Sequence, residues 1–395
     1  MFHDRGREDR SSAGGRAGAA LVLCVLLAPL FILMIGRPTA DLEVYLLAGR
    51  TIARGQDLYR AGFGSSLHTP LPYTYPPSLA AFTAAIAWMP WRPIEWFWTA
   101  LNIAVLIWVV QVSYGALLDR AGSRRLLALA TLTGISALTA PLTDMLFLGQ
   151  LGLILMAACL VDMLPERTRL PRGVLVGAAT AVKLTPGAFI LYWLVTRRYR
   201  AALIASVTTL GLWILAAAPR PDLTRTYWTK IAFRPRYISG DLSLSLNQSL
   251  NGTLHRLGSS STVVWGLVAA TAMIVGLIRA RRAHRAGDEM AAVSLIAIAA
   301  LLVSPVSWVH HYVWIVPIGG VLLGDGSTRS QWRDWGLLTA VFLLRLPGLG
   351  GHHALSGLPS PVRFLMTNAY VIVLAVLLVR LPITSRTGRR ATTRS

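Results

Sequence analysis

Apolar runs near the ~20 residues needed to cross a bilayer alternate along this chain with short, arginine-rich polar clusters. The first run, Ala19–Gly36, follows Arg5, Arg7, Arg10 and Arg16 and ends at Arg37-Pro38 without a clear small-residue cleavage site. It reads as an uncleaved membrane helix. Ser78–Met89 is apolar but too short to cross and predicts a re-entrant or interfacial segment, whereas Ile94–Leu118 is long enough to span. Leu126–Ala140 and Met145–Val161 predict a hairpin turning at Pro141-Leu142-Thr143-Asp144. Gly173–Trp193 is apolar apart from Lys183, and the adjacent Pro186-Gly187 predicts a break into two half-helices. Ala201–Ala218, Thr262–Ile278, Ala291–Val303, Tyr312–Leu323, Trp335–Leu346 and Val362–Val379 complete the series. The pattern predicts an all-α polytopic membrane protein of about 10–12 transmembrane or half-membrane helices, forming one integral membrane domain over residues 1–395.

Charge fixes the expected orientation. Lys and Arg number 38 against 17 Asp and Glu, a formal net charge of +21. On a soluble fold this would suggest nucleic acid. Here the basic residues fall between apolar runs, as cytoplasmic loops do under the positive-inside rule, so no nucleic-acid partner is expected. Clusters at 119–125, 167–172, 197–198, 279–285 and 329–333, with the basic tails 1–18 and 380–395, are assigned to the cytoplasm. Both termini are then cytoplasmic and the loops 37–77 and 219–261 face outward, which places Asp41, Lys183, the Asn247-Gln248 segment and His310-His311 on one outer side. Cys24 and Cys159 lie within apolar runs and read as small buried hydrophobes.

The outer loop 37–77 carries the first candidate chemistry. Asp41 and Glu43 follow a membrane helix directly, where a carboxylate is expensive unless it meets water, a partner or a substrate. Val44, Leu46, Leu47, Ile52 and Ala53 predict a short amphipathic helix lying on the membrane surface and ended by Gly55. Asp41 suits a general base for a substrate hydroxyl, with Glu43 as a cap or supporting group. No further clustered carboxylates follow, so no metal is assigned. Lys183, beside a helix break, is placed to meet a phosphate; the structural alternative is a lysine snorkelling to the interface. His310 and His311 could donate to phosphate or sugar oxygens. The amides of Asn247 and Gln248 suit sugar hydroxyls and equally suit loop turns, and Tyr45, Tyr59, Tyr75 and Trp308 could stack on a sugar or belong to an interfacial belt.

Taken together, Asp41 with Val44-Tyr45, Gly55-Gln56-Asp57-Leu58-Tyr59, Tyr73-Thr74-Tyr75-Pro76-Pro77, Val182-Lys183-Leu184-Thr185-Pro186, Asn247-Gln248-Ser249-Leu250-Asn251-Gly252 and Ser304–His311 resemble the polyprenyl-phosphate-mannose-dependent mannosyltransferases of glycosyltransferase family 87. The resemblance implies a GT-C bundle, a catalytic Asp in the first outer loop, and inverting transfer from a lipid-linked sugar phosphate without a nucleotide sugar or other cofactor. The acceptor would be a glycolipid or lipoglycan of the cell envelope, met at the plasma membrane among its lipids. In that arrangement the donor phosphate meets Lys183 and a His while Asp41 takes the acceptor proton.

Two other readings remain open at this level. An arabinofuranosyl donor would use the same machinery, and a lipid-sugar flippase or transporter could use Asp41 and His310 as a proton relay. The clustering of polar residues on one side and the lack of a convincing internal repeat weigh against the transporter.

Overall fold

The computed structural model describes residues 17–28, 39–60, 62–63, 70–164, 169–351 and 359–384, with the single positions 15 and 357. Arg5, Arg7, Arg10 and Arg16, the second half of the expected first helix, Arg167 and the tail from residue 385 lie outside them. Helix α1 (Ala17–Ala28) is followed by α2 (Ala40–Ala53), the two-residue strands β1 (Gly62–Phe63) and β2 (Leu71–Pro72), α3 (Pro77–Ala84) and α4 (Trp91–Ser113). The strands pair antiparallel, Gly62 opposite Pro72. Next come α5 (Gly115–Arg120), α6 (Arg125–Leu138), α7 (Ala140–Leu148), α8 (Gly152–Met163), α9 (Val174–Val182), α10 (Ala188–Val195) and α11 (Tyr199–Ala217). Short helices α12 (Pro221–Thr226), α13 (Pro235–Ile238) and α14 (Leu250–Arg256) lead to α15 (Thr262–Arg285) and α16 (Glu289–Val303). A 3-10 turn, Val309–Trp314, opens α17 (Ile315–Leu323), and α18 (Arg329–Leu343), α19 (Leu346–Gly350), α20 (Ser360–Thr367) and α21 (Ala369–Arg380) finish the described chain.

Among the described residues, α4, α11 and α15 are each long and apolar enough to cross a membrane, and two bent helix pairs raise the number of spans to five if each pair counts as one. The outward faces of these helices are apolar. On α11, Leu203, Val207, Leu210 and Ile214 are all exposed at helical spacing, and on α15 Val263, Leu267, Ile274 and Ile278 are. Such stripes oppose stability in water and favour it in hydrocarbon, because helices satisfy their own backbone groups there. The protein is an all-α polytopic membrane protein.

The half-helix break at Lys183 is present: α9 ends at Val182, Thr185–Gly187 forms a 3-10 turn, and α10 resumes at Ala188. Ser78–Met89 is helical only as far as Ala84, the end of the eight-residue α3 that starts at Pro77. Three expectations are corrected. The helix after Asp41 is not a surface anchor, since Leu42, Val44, Tyr45, Leu46, Ala48 and Gly49 are buried in a small core with Leu58, Phe63, Tyr73, Leu79 and Ala80. Helix α3 crosses it so closely that a Cβ on Gly49 would lie 2.7 Å from the Ala84 nitrogen. Pro141 does not make a turn either. It occupies the first turn of α7, where its missing N–H has no partner to lose, so the chain bends by 75° at Thr139 and the turn that follows α7 lies at Gly149–Leu151. Lastly, the expected single crossing Val362–Val379 is broken at Asn368 by 67°, dividing α20 from α21.

Candidate active site

Asp41 stands in the first turn of α2, part-buried, with one carboxylate oxygen accepting a 2.5 Å hydrogen bond from the Gln150 amide nitrogen. The Gln150 amide oxygen in turn accepts from the Tyr45 hydroxyl at 2.8 Å and the Tyr75 hydroxyl at 3.2 Å, and those two hydroxyls lie 3.0 Å apart. The Tyr45 and Tyr75 rings meet edge to face with centroids 5.3 Å apart. Gln150 is buried and connects three chain segments through one amide group.

Its position follows from the turn after α7. Gly149 adopts φ +66°, and a Cβ there would approach Leu42 Cβ to 2.8 Å, so only glycine lets this turn press against α2. The Gly149 carbonyl accepts from the Trp98 indole at 2.9 Å. At the start of α2, the Thr39 hydroxyl donates to the buried Glu95, which Arg92 neutralises at 3.0 Å. α7 packs against both α2 and the Val309–Trp314 turn, and so holds the carboxylate segment beside the histidines.

Lys183 Nζ lies 2.9 Å from His311 Nε2 and 5.5 Å from the centroid of the Tyr75 ring, a cation–π contact. An ammonium only donates, so His311 Nε2 accepts and the ring proton resides on Nδ1. The two imidazoles meet edge to face with centroids 4.7 Å apart. Among the described residues, His310 Nε2 is buried with no hydrogen-bond partner, an expensive state that an anionic oxygen would relieve. Gln150 bonds both Asp41 and the Tyr75 hydroxyl, and the Tyr75 ring faces Lys183, so carboxylate, ammonium and imidazoles belong to one site.

Asp41 lies outside the membrane-length helices, and burial pushes its carboxyl up to about 6, against the Gln150 hydrogen bond and the Lys183 charge, which pull it down. A base must be ionised to work, so turnover that depends on Asp41 is expected to rise with pH through about 6 and level off above it. Gln150→Leu removes the donor that favours the ionised form. A hydrogen bond to a charged group contributes about 1.5–3 kcal/mol, so the acid limb of kcat/KM should move up by about 1–2 pH units, with activity partly recovered at high pH. An unmoved limb in that variant would show that Gln150 does not act on the carboxylate.

The remaining sequence candidates have other surroundings. Tyr59 donates to the Tyr75 carbonyl at 2.9 Å and packs on Tyr73 and Tyr227, so it braces the tyrosine loop. Glu43 is part-buried on the same helix as Asp41. Asn247 and Gln248 are completely buried, and their amides serve backbone instead of an open sugar site. Asn247 donates to the Leu242 carbonyl at 3.0 Å and accepts from Ser307 N–H at 3.0 Å. Gln248 donates to the Ser245 and Thr367 carbonyls, each at 2.6 Å. Trp308 is part-buried and its backbone bridges to Asn247, while the Tyr312 hydroxyl donates to the Gln248 carbonyl. Residues 247–251 thus clamp the segment that carries His310 and His311. Asn247→Ala leaves two buried backbone groups unpaired and should destabilise the protein by about 2–3 kcal/mol in thermal unfolding.

Gln150 escaped the sequence reading. It is uncharged, it lies in an apolar hairpin, and the hairpin's turn had been expected at Pro141–Asp144. The cue was Gly149-Gln150, a turn glycine beside the lone amide in that stretch.

The fold and the site thus combine a helical membrane protein with a carboxylate, an ammonium and two imidazoles drawn from distant parts of the chain. The chain belongs to glycosyltransferase family 87, whose model matches residues 73–305. Asp41 precedes that stretch and His310-His311 follow it. A Mycobacterium tuberculosis protein named polyprenol-phosphate-mannose-dependent alpha-(1-2)-phosphatidylinositol mannoside mannosyltransferase is 34% identical over 299 residues, 70% of this chain and 68% of its own. Its Mycolicibacterium smegmatis counterpart is 33% identical over 305 residues, with the same shares. Another M. smegmatis protein, named for phosphatidylinositol pentamannoside mannosyltransferase activity, is 31% identical over 344 residues, 83% of this chain and 81% of its own. No solved structure matches the chain.

Proposed function

We propose that the chain transfers mannose, with inversion, from a polyprenyl-phosphate-linked donor to a phosphatidylinositol-mannoside-type glycolipid or lipoglycan. The observation that carries this reading is the junction of Asp41, held by Gln150, with Lys183, held by His311. Asp41 takes the proton as the acceptor hydroxyl oxygen bonds to the anomeric carbon. The bond from that carbon to the phosphate oxygen breaks, and polyprenyl phosphate leaves. Phosphate is a good leaving group, so Lys183 and the His310 and His311 rings need only stabilise its charge. Tyr75, part-buried, would line the sugar side, with the buried Tyr45 behind it. The names of the relatives support mannose over arabinofuranose. The deciding experiment supplies the purified protein with polyprenyl-phosphate-mannose or polyprenyl-phosphate-arabinose and a phosphatidylinositol mannoside. Transfer of mannose alone is expected, and transfer of arabinose alone would move the reading to that sugar.

The same reading places the site on the extracytoplasmic face of the plasma membrane, with both termini cytoplasmic, in keeping with the arginine clusters between apolar runs. Single cysteines at Ser245 should react with an impermeant thiol reagent from outside, and cysteines at Ser123 or Arg282 should not. Outside labelling of Ser123 would invert this arrangement.

A further inference from the structure

The opposite end of the helices that carry the site holds a second basic feature. A cavity of about 220 Å³ is lined by Val195, Thr196, Arg197, Arg281, His284 and Arg285, where α10 and α15 terminate. From there α16 runs for 15 residues, about 22 Å of helix, before the chain reaches the histidine turn. The lining carries three guanidiniums and an imidazole and no carboxylate.

The nearest acid behind this wall is already engaged. Glu289 accepts from Arg198 at 2.6 Å, from Tyr192 at 2.9 Å, and lies 2.6 Å from His284 Nδ1. Among the described residues, no carboxylate forms an ion pair with Arg197, Arg281 or Arg285. Arg281 and Arg285 are four apart on one helix face, where like charges repel. Helix C-termini favour cations in general, which accounts for basic residues at these ends. It does not account for Arg197. That residue adopts φ +62° at the end of α10, a conformation that glycine would take without strain, yet it presents a guanidinium to the cavity. His284 donates its Nδ1–H to Glu289, so its Nε2 can donate to an anion only when the ring carries both protons.

We infer that this cavity binds a phosphate-bearing anion, held by Arg197, Arg281, Arg285 and His284, as a site separate from the transfer site. Guanidinium forks match phosphate oxygens in pairs, and one anion bridging Arg281 and Arg285 would convert their repulsion into attraction. The phosphate could come from an anionic lipid headgroup at the membrane surface or from a free phosphate in solution, and the two sources share this chemistry.

The test uses the full chain purified in neutral detergent, with dioctanoyl phosphatidic acid, dioctanoyl phosphatidylcholine and inorganic phosphate as separate probes in native mass spectrometry. Phosphatidic acid should bind saturably, and Arg281→Gln with Arg285→Gln should weaken it at least tenfold. Inorganic phosphate binding as tightly, with the same dependence on the two arginines, would assign the site to free phosphate. Arg197→Gly supplies a second measurement in case the double variant fails to fold. It relieves the left-handed backbone, so the unliganded protein should unfold at a higher temperature while the anion binds several-fold more weakly. Phosphatidylcholine binding as tightly as phosphatidic acid, no saturable binding of either anion, or anion affinity indifferent to all three arginines would overturn the inference. None of these outcomes bears on the transferase reading.

Discussion

Asp41→Asn should bind the lipid-linked donor normally and lose about 10²–10⁴-fold in transfer rate, the usual contribution of a general base. The substitution keeps the size of the side chain and an oxygen that can still accept from Gln150, so the connections through Tyr45 and Tyr75 survive. What it removes is the capacity to take a proton. Glu43→Gln provides the control, since it deletes one negative charge from the same helix. Two residues along an α-helix turn the side chain by about 200°, so Glu43 faces away from the Asp41 direction and its variant should stay within a few-fold of wild type. Initial rates with polyprenyl-phosphate-mannose, alongside donor binding measured separately, distinguish the two. Near wild-type turnover by Asp41→Asn with loss in Glu43→Gln would transfer the base role to Glu43.

Lys183→Ala should act on the donor instead. Lys183 is part-buried, and its ammonium contacts His311 at 2.9 Å and the Tyr75 ring face, within the electrostatic reach of Asp41. A charge-assisted contact to phosphate contributes about 1.5–3 kcal/mol, which predicts a rise of about 10–100-fold in the donor KM. Folding should persist, because removing the lysine also relieves a buried charge. A lysine that merely reached for the interface would leave donor kinetics unchanged on truncation. The measurement is a donor titration at saturating acceptor, compared with the same titration in Asp41→Asn, where kcat falls and donor KM does not.

How far the sequence foretold this site depended on the kind of residue. Asp41, Lys183 and the paired histidines were legible because ionisable groups in apolar surroundings carry a free-energy cost that calls for a function. The break at Lys183 was legible too, since Pro186 cannot continue a helix. Gln150 was not, because a neutral amide costs little at a turn and the turn itself was displaced by Pro141, which opens α7. The motif Asn247-Gln248 was visible, but its role was not: an amide that suits a sugar hydroxyl suits a backbone carbonyl equally, and here the 247–251 segment holds the histidine turn. Burial of α2 was hidden for a different reason. Its apolar positions fit a lipid surface as well as a protein one, and only α3 and the tyrosine loop, packed against it, decide between them.

The spacing of these groups along the chain also has a consequence for synthesis. Gln150 follows Asp41 by 109 residues, and His311 follows Lys183 by 128. At roughly 5–20 residues per second, the lysine emerges about 6–26 s before the imidazole that receives its hydrogen bond. For that interval the ammonium has only the earlier-made Tyr75 ring and the Asp41 carboxylate to meet. The lysine–imidazole contact therefore forms only once the last third of the chain has been made. A ribosome stalled before Ser307 would leave an intermediate with most of its apolar helices made and its lysine still without the imidazole.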